Sequence, residues 1–246
     1  MEMHPKINER TWLLPAHAMA IQSPQATNPL LRYNPSAFLL GAQLIQLILF
    51  VVFDHAVTGR TLVSAFSIII LMLVVWVVDR SPALTWVAWL LAVPAFVLSI
   101  LAAMYPNSAF TPWSALLEGI LYFYAVGSLI AYMMSDFRVT RDELYAAGAT
   151  FTLLAWGFAY MFVVAQAWVP GSFTGGAEQG TPLTFIQLLF VSFTNLSATG
   201  LSDIVPTSAA TRALAILEQF LGVSYVVVVV ARLVSLTTQR KPGKHD

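Results

Sequence analysis

The segment between residues 181 and 236 constrains the fold most, because it joins an apolar run too short to cross a membrane to one that is long enough. Leu183–Leu196 has about 14 residues, whereas a spanning helix needs roughly 20. Ser197–Asp203 is polar and rich in small residues, and the chain from Ala209 to Leu236 is apolar again. Irregular backbone at membrane depth persists only where protein buries it or where it lines water. The pattern predicts three consecutive parts: a pore helix (182–196), a filter (197–203) and an inner helix (208–236).

The composition indicates a polytopic membrane protein. The chain has 246 residues, of which 58% are hydrophobic and 10% are charged, whereas soluble domains carry about 25% charged residues. We therefore predict an all-α membrane protein with six transmembrane helices and a re-entrant pore loop between the fifth and the sixth. The expected spans are about 36–53, 61–78, 84–104, 112–134, 144–169 and 208–236.

Several function classes are not expected from this composition. The formal net charge of zero gives no reason to expect nucleic acid as a partner, and the absence of cysteine excludes disulfides and thiolate metal sites. The four histidines, His4, His17, His55 and His245, are scattered through the termini and one loop. We expect no enzymatic activity and no cofactor.

The distribution of basic residues predicts the orientation. The predicted cytoplasmic face collects ten lysines and arginines: Lys6, Arg10, Arg32, Arg80, Arg138, Arg141, Arg232, Arg240, Lys241 and Lys244. The other face has Arg60 and Arg212. Since basic residues favour the cytoplasmic side, both termini are expected in the cytoplasm, and the pore loop enters from outside.

The pore segment carries motifs that can be compared with a known family. Ser192-Phe193-Thr194-Asn195-Leu196 precedes Ala198-Thr199-Gly200-Leu201-Ser202-Asp203-Ile204-Val205-Pro206. Further motifs are Val139-Thr140, Pro170-Gly171-Ser172-Phe173, Arg212-Ala213-Leu214-Ala215-Ile216-Leu217-Glu218 and Ala231-Arg232-Leu233-Val234. Over residues 138–236 the chain resembles the tetrameric potassium channels and their bacterial relatives, whose filter reads Thr-x-Gly-Tyr-Gly-Asp. The resemblance implies a homotetramer in a bacterial inner membrane, with lipid and K⁺ or Na⁺ as its other partners and no metal beyond the permeant monovalent cation.

The predicted filter comprises Ser197, Ala198, Thr199, Gly200, Leu201, Ser202 and Asp203. In the family, backbone carbonyls from four subunits replace the hydration shell of the ion. Ala198 lacks the hydroxyl of the family's threonine, and Leu201 lacks the hydroxyl of its tyrosine. Ser202 replaces a glycine and is unfavourable if its φ is positive. Ser197 and Thr199 could supply compensating hydroxyls. We expect weak discrimination between K⁺ and Na⁺, while Asp203 either attracts cations at the outer mouth or props the filter.

Other candidates lie around the filter. We expect Glu218 on the inner helix to bond the back of the pore helix, with Thr194 as its partner, although an ionisable residue at that depth is also a functional candidate. Gly222 could be a gating hinge or a close-packing site. Val226 and Val230 belong to a run of valines that could form a gate closed by dewetting.

The first four helices (35–134) resemble a voltage-sensor domain without its charges. Glu118 is the only charge in the fourth span, whereas a sensor needs several arginines. The remaining predicted parts are a cytoplasmic arm (1–34), a linker (135–143), a pore domain (144–236) and a tail (237–246). The sequence predicts a voltage-insensitive cation channel. A non-conducting scaffold or receptor with the channel fold, or a small-solute transporter, is the alternative.

Overall fold

The computed structural model of the chain describes residues 35–53, 57–79, 83–105, 109–135, 141–176 and 181–238. These residues form α1 (Pro35–Phe53), α2 (Val57–Asp79), α3 (Thr85–Met104), α4 (Phe110–Ser135), α5 (Arg141–Trp168), β1 (Phe173–Thr174), α6 (Phe185–Leu196), β2 (Val205–Pro206) and α7 (Ala209–Thr238). The two short strands pair with each other, and the other elements are helices. The predicted all-α class is confirmed. The predicted N-terminal arm and the end of the tail lie outside the described residues.

Among the described residues, four helices are long and apolar enough to cross a membrane: Thr85–Met104, Phe110–Ser135, Asp142–Trp168 and Ala209–Arg232. They correspond to the third, fourth, fifth and last predicted spans. In α1 and α2 the apolar stretches for which side chains are described are Pro35–Phe50 and Phe66–Asp79. The six-span count therefore stays a prediction where it concerns α1 and α2.

Exposed tryptophans stand at the ends of the long helices, as expected for aromatic belts at membrane interfaces. Trp86 and Trp89 lie in the first turns of α3, and Trp113 and Trp168 lie at the start of α4 and the end of α5. The rings of Trp113 and Trp168 meet edge to face, with their centroids 5.8 Å apart. The amphipathic indole rings would hold these helix ends at the level of the lipid headgroups.

Helices α4 and α5 pack as an antiparallel pair. Gly119 of α4 faces Gly157 and Tyr160 of α5, where a Cβ on Gly119 would lie 3.3 Å from the Gly157 carbonyl oxygen. Further along the pair, Tyr132 of α4 donates its hydroxyl hydrogen to Asp142 of α5 at 3.1 Å. Small residues allow helix backbones this close in a membrane protein.

The start of α5 is fixed by acidic side chains. The helix begins at Arg141, three residues before the predicted start, and Asp142 and Glu143 occupy its first turn. Carboxylates are favourable there because the helix dipole is positive at its N-terminus. Asp142 also accepts hydrogen bonds from the backbone N–H and the hydroxyl of Ser36, at 3.2 and 3.1 Å. The same residue therefore satisfies a free amide at the start of α1.

Candidate pore site

Helix α6 is the short helix that the sequence placed before the filter. Its 12 residues, Phe185–Leu196, make it about 18 Å long, well below the roughly 30 Å of a hydrocarbon core. Thr184 precedes it, and the Thr184 backbone N–H donates to Oε1 of Gln187 at 2.8 Å, which is one half of a capping box. The observed start is three residues later than the predicted 182, since residues 182–184 are extended or serve as the cap.

Helix α5 positions the beginning of α6 through a side-chain amide. Gln166 donates from Nε2 to the Leu183 carbonyl at 3.1 Å and accepts the Leu183 N–H on Oε1 at 2.9 Å. Through these two bonds the Gln166 amide satisfies both backbone groups of Leu183, as a neighbouring β-strand would. They fix the chain where it enters α6.

Aromatic rings surround the first residue of α6. The ring of Phe185 lies 4.7 Å from that of Tyr160, 5.6 Å from that of Trp156 and 5.5 Å from that of Phe50, between centroids. Tyr160 and Trp156 belong to α5, and Phe50 belongs to α1. Tilted and offset ring pairs at these separations add to the burial energy of each ring. The N-terminus of α6 is thus held by packing as well as by hydrogen bonds.

The C-terminus of α6 ends in a Schellman motif with alanine in place of glycine. The Thr199 N–H donates to the Thr194 carbonyl at 3.0 Å, and the Ala198 N–H donates to the Asn195 carbonyl at 2.9 Å. This pair of bonds requires a left-handed residue at Ala198, whose φ is 55°. The Gly200 N–H also donates to the Thr194 carbonyl, at 3.1 Å, with φ at Gly200 of 64°.

This geometry answers the question of backbone strain at Ser202. The sequence left open whether φ at Ser202 is positive, and among the described residues Ala198 is the one non-glycine residue with a positive φ. The physical reason is the helix end itself, which needs its left-handed residue two positions after Leu196. Ser202 has another role, since its Oγ accepts the Ile204 N–H at 3.1 Å.

Two hydroxyls stand together at the C-terminal end of α6. Oγ of Ser197 lies 3.0 Å from Oγ1 of Thr199, and Oγ of Ser197 also donates to the Phe193 carbonyl at 2.7 Å. Both side chains are exposed. That these hydroxyls compensate for Ala198 stays a prediction.

After the predicted filter, the chain returns to the same end of α5 that lies beside the start of α6. Strand β2 pairs antiparallel with β1, which follows α5, in the register Phe173↔Pro206 and Thr174↔Val205. Next to this pair, the Thr207 N–H donates to the Ser172 carbonyl at 2.9 Å. Segment 183–207 therefore begins and ends beside the same end of α5.

One glycine allows the returning chain to lie close to β1. Gly175 has a φ of 99°, and a Cβ there would overlap the carbonyl oxygen of Asp203. Both the positive φ and the contact exclude a side chain. Asp203 is exposed, and the neighbouring Leu201 has 75% of its surface exposed. Leu201 has no hydroxyl and therefore cannot form the hydrogen bond of a tyrosine tether.

Glu218 is fully buried against the back of α6. Its Oε1 contacts Oγ of Ser192, and its Oε2 accepts from Nδ2 of Asn195 at 3.3 Å. The sequence named Thr194 as its partner, but the Thr194 hydroxyl donates to the Val191 carbonyl at 2.8 Å. The Thr194 backbone carbonyl instead accepts the N–H groups of Thr199 and Gly200 in the predicted filter. Ser192 and Asn195 were missed; three residues apart in an apolar helix, they lie on one face, which was the available signal.

One stripe of α7 packs on the rest of the chain. It contains Thr211, Ala215, Glu218 and Gly222, which are buried, and Tyr225, Val229 and Arg232, which are half-buried. Their spacing alternates between three and four residues, as expected for one helical face. Val226 and Val230 lie off this stripe and are exposed. The stripe ends at an ion pair, with Nη2 of Arg232 3.6 Å from Oε1 of Glu143 on α5.

Gly222 lies where α7 touches the end of α6. A Cβ there would overlap the backbone carbonyl of Leu196. Helix α7 is continuous through this position, from Ala209 to Thr238. The geometry supports the close-packing interpretation of Gly222.

Comparison with known proteins agrees with this geometry. Residues 148–239 match a protein-family model described as an ion channel. The chain matches no curated protein and no solved structure. The matched segment contains most of α5 together with α6, the predicted filter and α7. Residues 148–239 are therefore an ion-channel domain of the potassium-channel-like superfamily.

Proposed function

We propose that the protein is one subunit of a homotetrameric channel for monovalent cations in the cell membrane. The observation that carries the proposal is the course of segment 183–207, which runs from one end of α5 through a short helix and an exposed turn back to the same end. Such a segment in a membrane is a re-entrant loop, and irregular backbone there has to line water or be buried. One loop supplies a quarter of a filter, hence the fourfold ring.

The exposed turn has the groups that a cation site requires. The hydroxyls of Ser197 and Thr199 stand at the C-terminal end of α6, where the helix dipole is negative. Asp203 is exposed beyond them on the path to the outside. Four copies of each group around one axis would attract cations and exclude anions.

We further propose that K⁺ and Na⁺ are poorly discriminated. A 1000-fold preference corresponds to about 4 kcal/mol, which relatives distribute over several rigid rings of carbonyls. Here Leu201 has no hydroxyl with which to fix the width of the filter. Ala198 offers a methyl group where relatives have a hydroxyl.

Reconstitution tests the proposal. Liposomes that hold the purified protein should take up K⁺, Na⁺ and Tl⁺ but not Cl⁻, with K⁺ and Na⁺ fluxes of the same order. In a planar bilayer the conductance should depend little on voltage, because the one charge on α4, Glu118, cannot supply the several gating charges of a sensor.

The same measurements identify the alternatives. Absence of any cation flux from a stable tetramer would favour a non-conducting scaffold or receptor. Flux that saturates with a small organic solute would favour a transporter. Strong exclusion of Na⁺ in bi-ionic reversal potentials would contradict the weak filter but not the channel.

A further inference from the structure

The hydrogen-bond contacts around Glu218 need one more hydrogen than Ser192 and Asn195 can supply. Oγ of Ser192 lies 2.7 Å from the carbonyl oxygen of Ala155 on α5 and also contacts Oε1 of Glu218 on α7. A serine hydroxyl has one hydrogen, and a carbonyl oxygen has none. If Glu218 were a carboxylate, one of these two oxygen contacts would have no hydrogen in it.

The other partners of Glu218 do not change this count. Asn195 donates from Nδ2 to Oε2 of Glu218 at 3.3 Å, and its Oδ1 accepts from Nε2 of Gln219 at 3.4 Å. In this arrangement the hydrogens of the Asn195 amide face Glu218. The amide satisfies Oε2 and supplies nothing to the contact at Oε1.

We infer that Glu218 acts as a neutral carboxylic acid that donates a hydrogen bond to Ser192, and that this makes it a positioning residue for the filter. Ser192 then donates to the Ala155 carbonyl, and every contact contains one hydrogen. The acid joins α7 to α6, and Ser192 passes the link on to α5. All three helices of the pore region thereby meet behind the Schellman turn that carries Ala198 and Thr199.

Neutrality has a consequence for conduction. A buried carboxylate beside the filter would attract cations and raise their local concentration, whereas a neutral acid fixes geometry alone. The charge that draws cations to the filter must then come from the end of α6, from backbone carbonyls and from Asp203. The inference deepens the proposed function, on which its flux test depends, but its spectroscopic test does not.

Glutamine at position 218 is the matching probe. In Glu218→Gln the side-chain Nε2 can donate to Ser192 and Oε1 can accept from Asn195, which reproduces the pattern of a neutral acid. Glu218→Ala removes both bonds. Glu218→Asp keeps the acid but withdraws it by one methylene, out of reach of Ser192.

Infrared spectroscopy decides the protonation state without any ion flux. In reconstituted protein, the difference spectrum between the parent and Glu218→Gln should show the loss of a protonated carboxylic-acid carbonyl band. Glu143→Gln is the matched control, because Glu143 pairs with Arg232 and should contribute carboxylate bands only. Loss of carboxylate bands alone in Glu218→Gln would overturn the inference.

Flux then tests the positioning role. Glu218→Gln should conduct within about twofold of the parent, whereas Glu218→Ala and Glu218→Asp should lose about tenfold or more, the factor expected for leaving one buried polar group without a partner. Equal losses in all three variants would overturn the role of a neutral donor. If the parent itself passes no ions, the proposed function fails, and the infrared result still stands.

Discussion

At the scale of single residues, the least expected feature is the left-handed alanine at the end of the pore helix. Comparison with the family's filter motif identified Ala198 as a position that lacks the family's hydroxyl. The structure shows that the backbone of Ala198 closes a Schellman turn with φ of 55°. A left-handed conformation costs a non-glycine residue about 1–2 kcal/mol. The backbone at position 198 is therefore strained, and the identity of the side chain in the sequence does not indicate this.

Ala198→Gly should stabilise the protein by about 1 kcal/mol, since glycine has no Cβ to clash at positive φ. A threonine there should destabilise it, because β-branched residues avoid positive φ. Thermal unfolding of the purified protein would show Tm rising by about 2–4 °C for glycine.

The neighbouring Ser197 provides the control for this prediction. Its φ is −79°, an ordinary helical value, so Ser197→Gly should give no gain in Tm. An equal rise for both glycine variants would show that the turn at Ala198 is not strained. The strain also means that restoring a threonine at 198 alone is a poor route to K⁺ selectivity.

At the scale of helices, two contacts hold α7 to its neighbours at different depths. Near the filter, Gly222 touches the Leu196 backbone. At the other end, Arg232 pairs with Glu143 and donates from Nη1 to the sulfur of Met134 at 3.6 Å. Between them a groove of about 400 Å³ separates α7 from α4 and α5, with Phe123 and Leu221 among its lining. Helix α7 is therefore tightly packed at Gly222 and less tightly packed between Gly222 and Arg232.

Gly222→Ala should therefore displace α6 and its turn. Overpacking of this kind costs about 1–3 kcal/mol, and both the Tm and the cation flux should fall. Gly41→Ala on α1 is the control, because a Cβ there meets nothing within 4 Å. A normal Tm with altered gating in Gly222→Ala would instead support the hinge interpretation.

The ion pair at the predicted cytoplasmic end should show coupling in a double-mutant cycle. Arg232→Gln leaves Glu143, which is 5% exposed, without its cation. This single change should therefore lower the free energy of unfolding more than the double change of Glu143→Gln and Arg232→Gln does. The expected interaction energy is about 0.5–3 kcal/mol, the range for residues in contact. Additive changes in unfolding free energy would show that the pair contributes nothing.

The sequence predicted the elements of the pore region well, and the contacts between them only in part. Segment length and polarity determine a short helix followed by an irregular strand, so α6 and α7 lie within three residues of their predicted bounds. The partner of Glu218 was misassigned, since helical periodicity does not say which turn of α6 faces α7. Likewise, Gln166 and Glu143 act on residues far along the chain, and no local pattern marks such pairs.

At the scale of the whole molecule, the orientation in the membrane can be tested with single cysteines, because the chain has none of its own. Ser135→Cys should react with an impermeant thiol reagent from the cytoplasmic side, and Thr174→Cys from outside, since ten of twelve basic residues predict that orientation. Thr174 is preferable to Gly175, where a side chain would strike Asp203. Labelling of both from one side would contradict the topology.

The tetramer should be visible by native mass analysis in mild detergent. The exposed face of α7, with Phe220, Val226 and Val230, presents the apolar surface that neighbouring subunits or lipid must cover. A stable dimer with no larger species would argue against a fourfold pore.

The antiparallel pair of α4 and α5 also bears on the assembly pathway. Five residues separate Ser135 from Arg141, and the two helices already contact each other through Gly119, Gly157 and Tyr160 within one chain. In the proposed tetramer, a subunit can therefore complete the packing of α4 on α5 before it meets another subunit. Ring formation would then be a late, concentration-dependent step between finished subunits, and one that can be reversed by dilution without unfolding them.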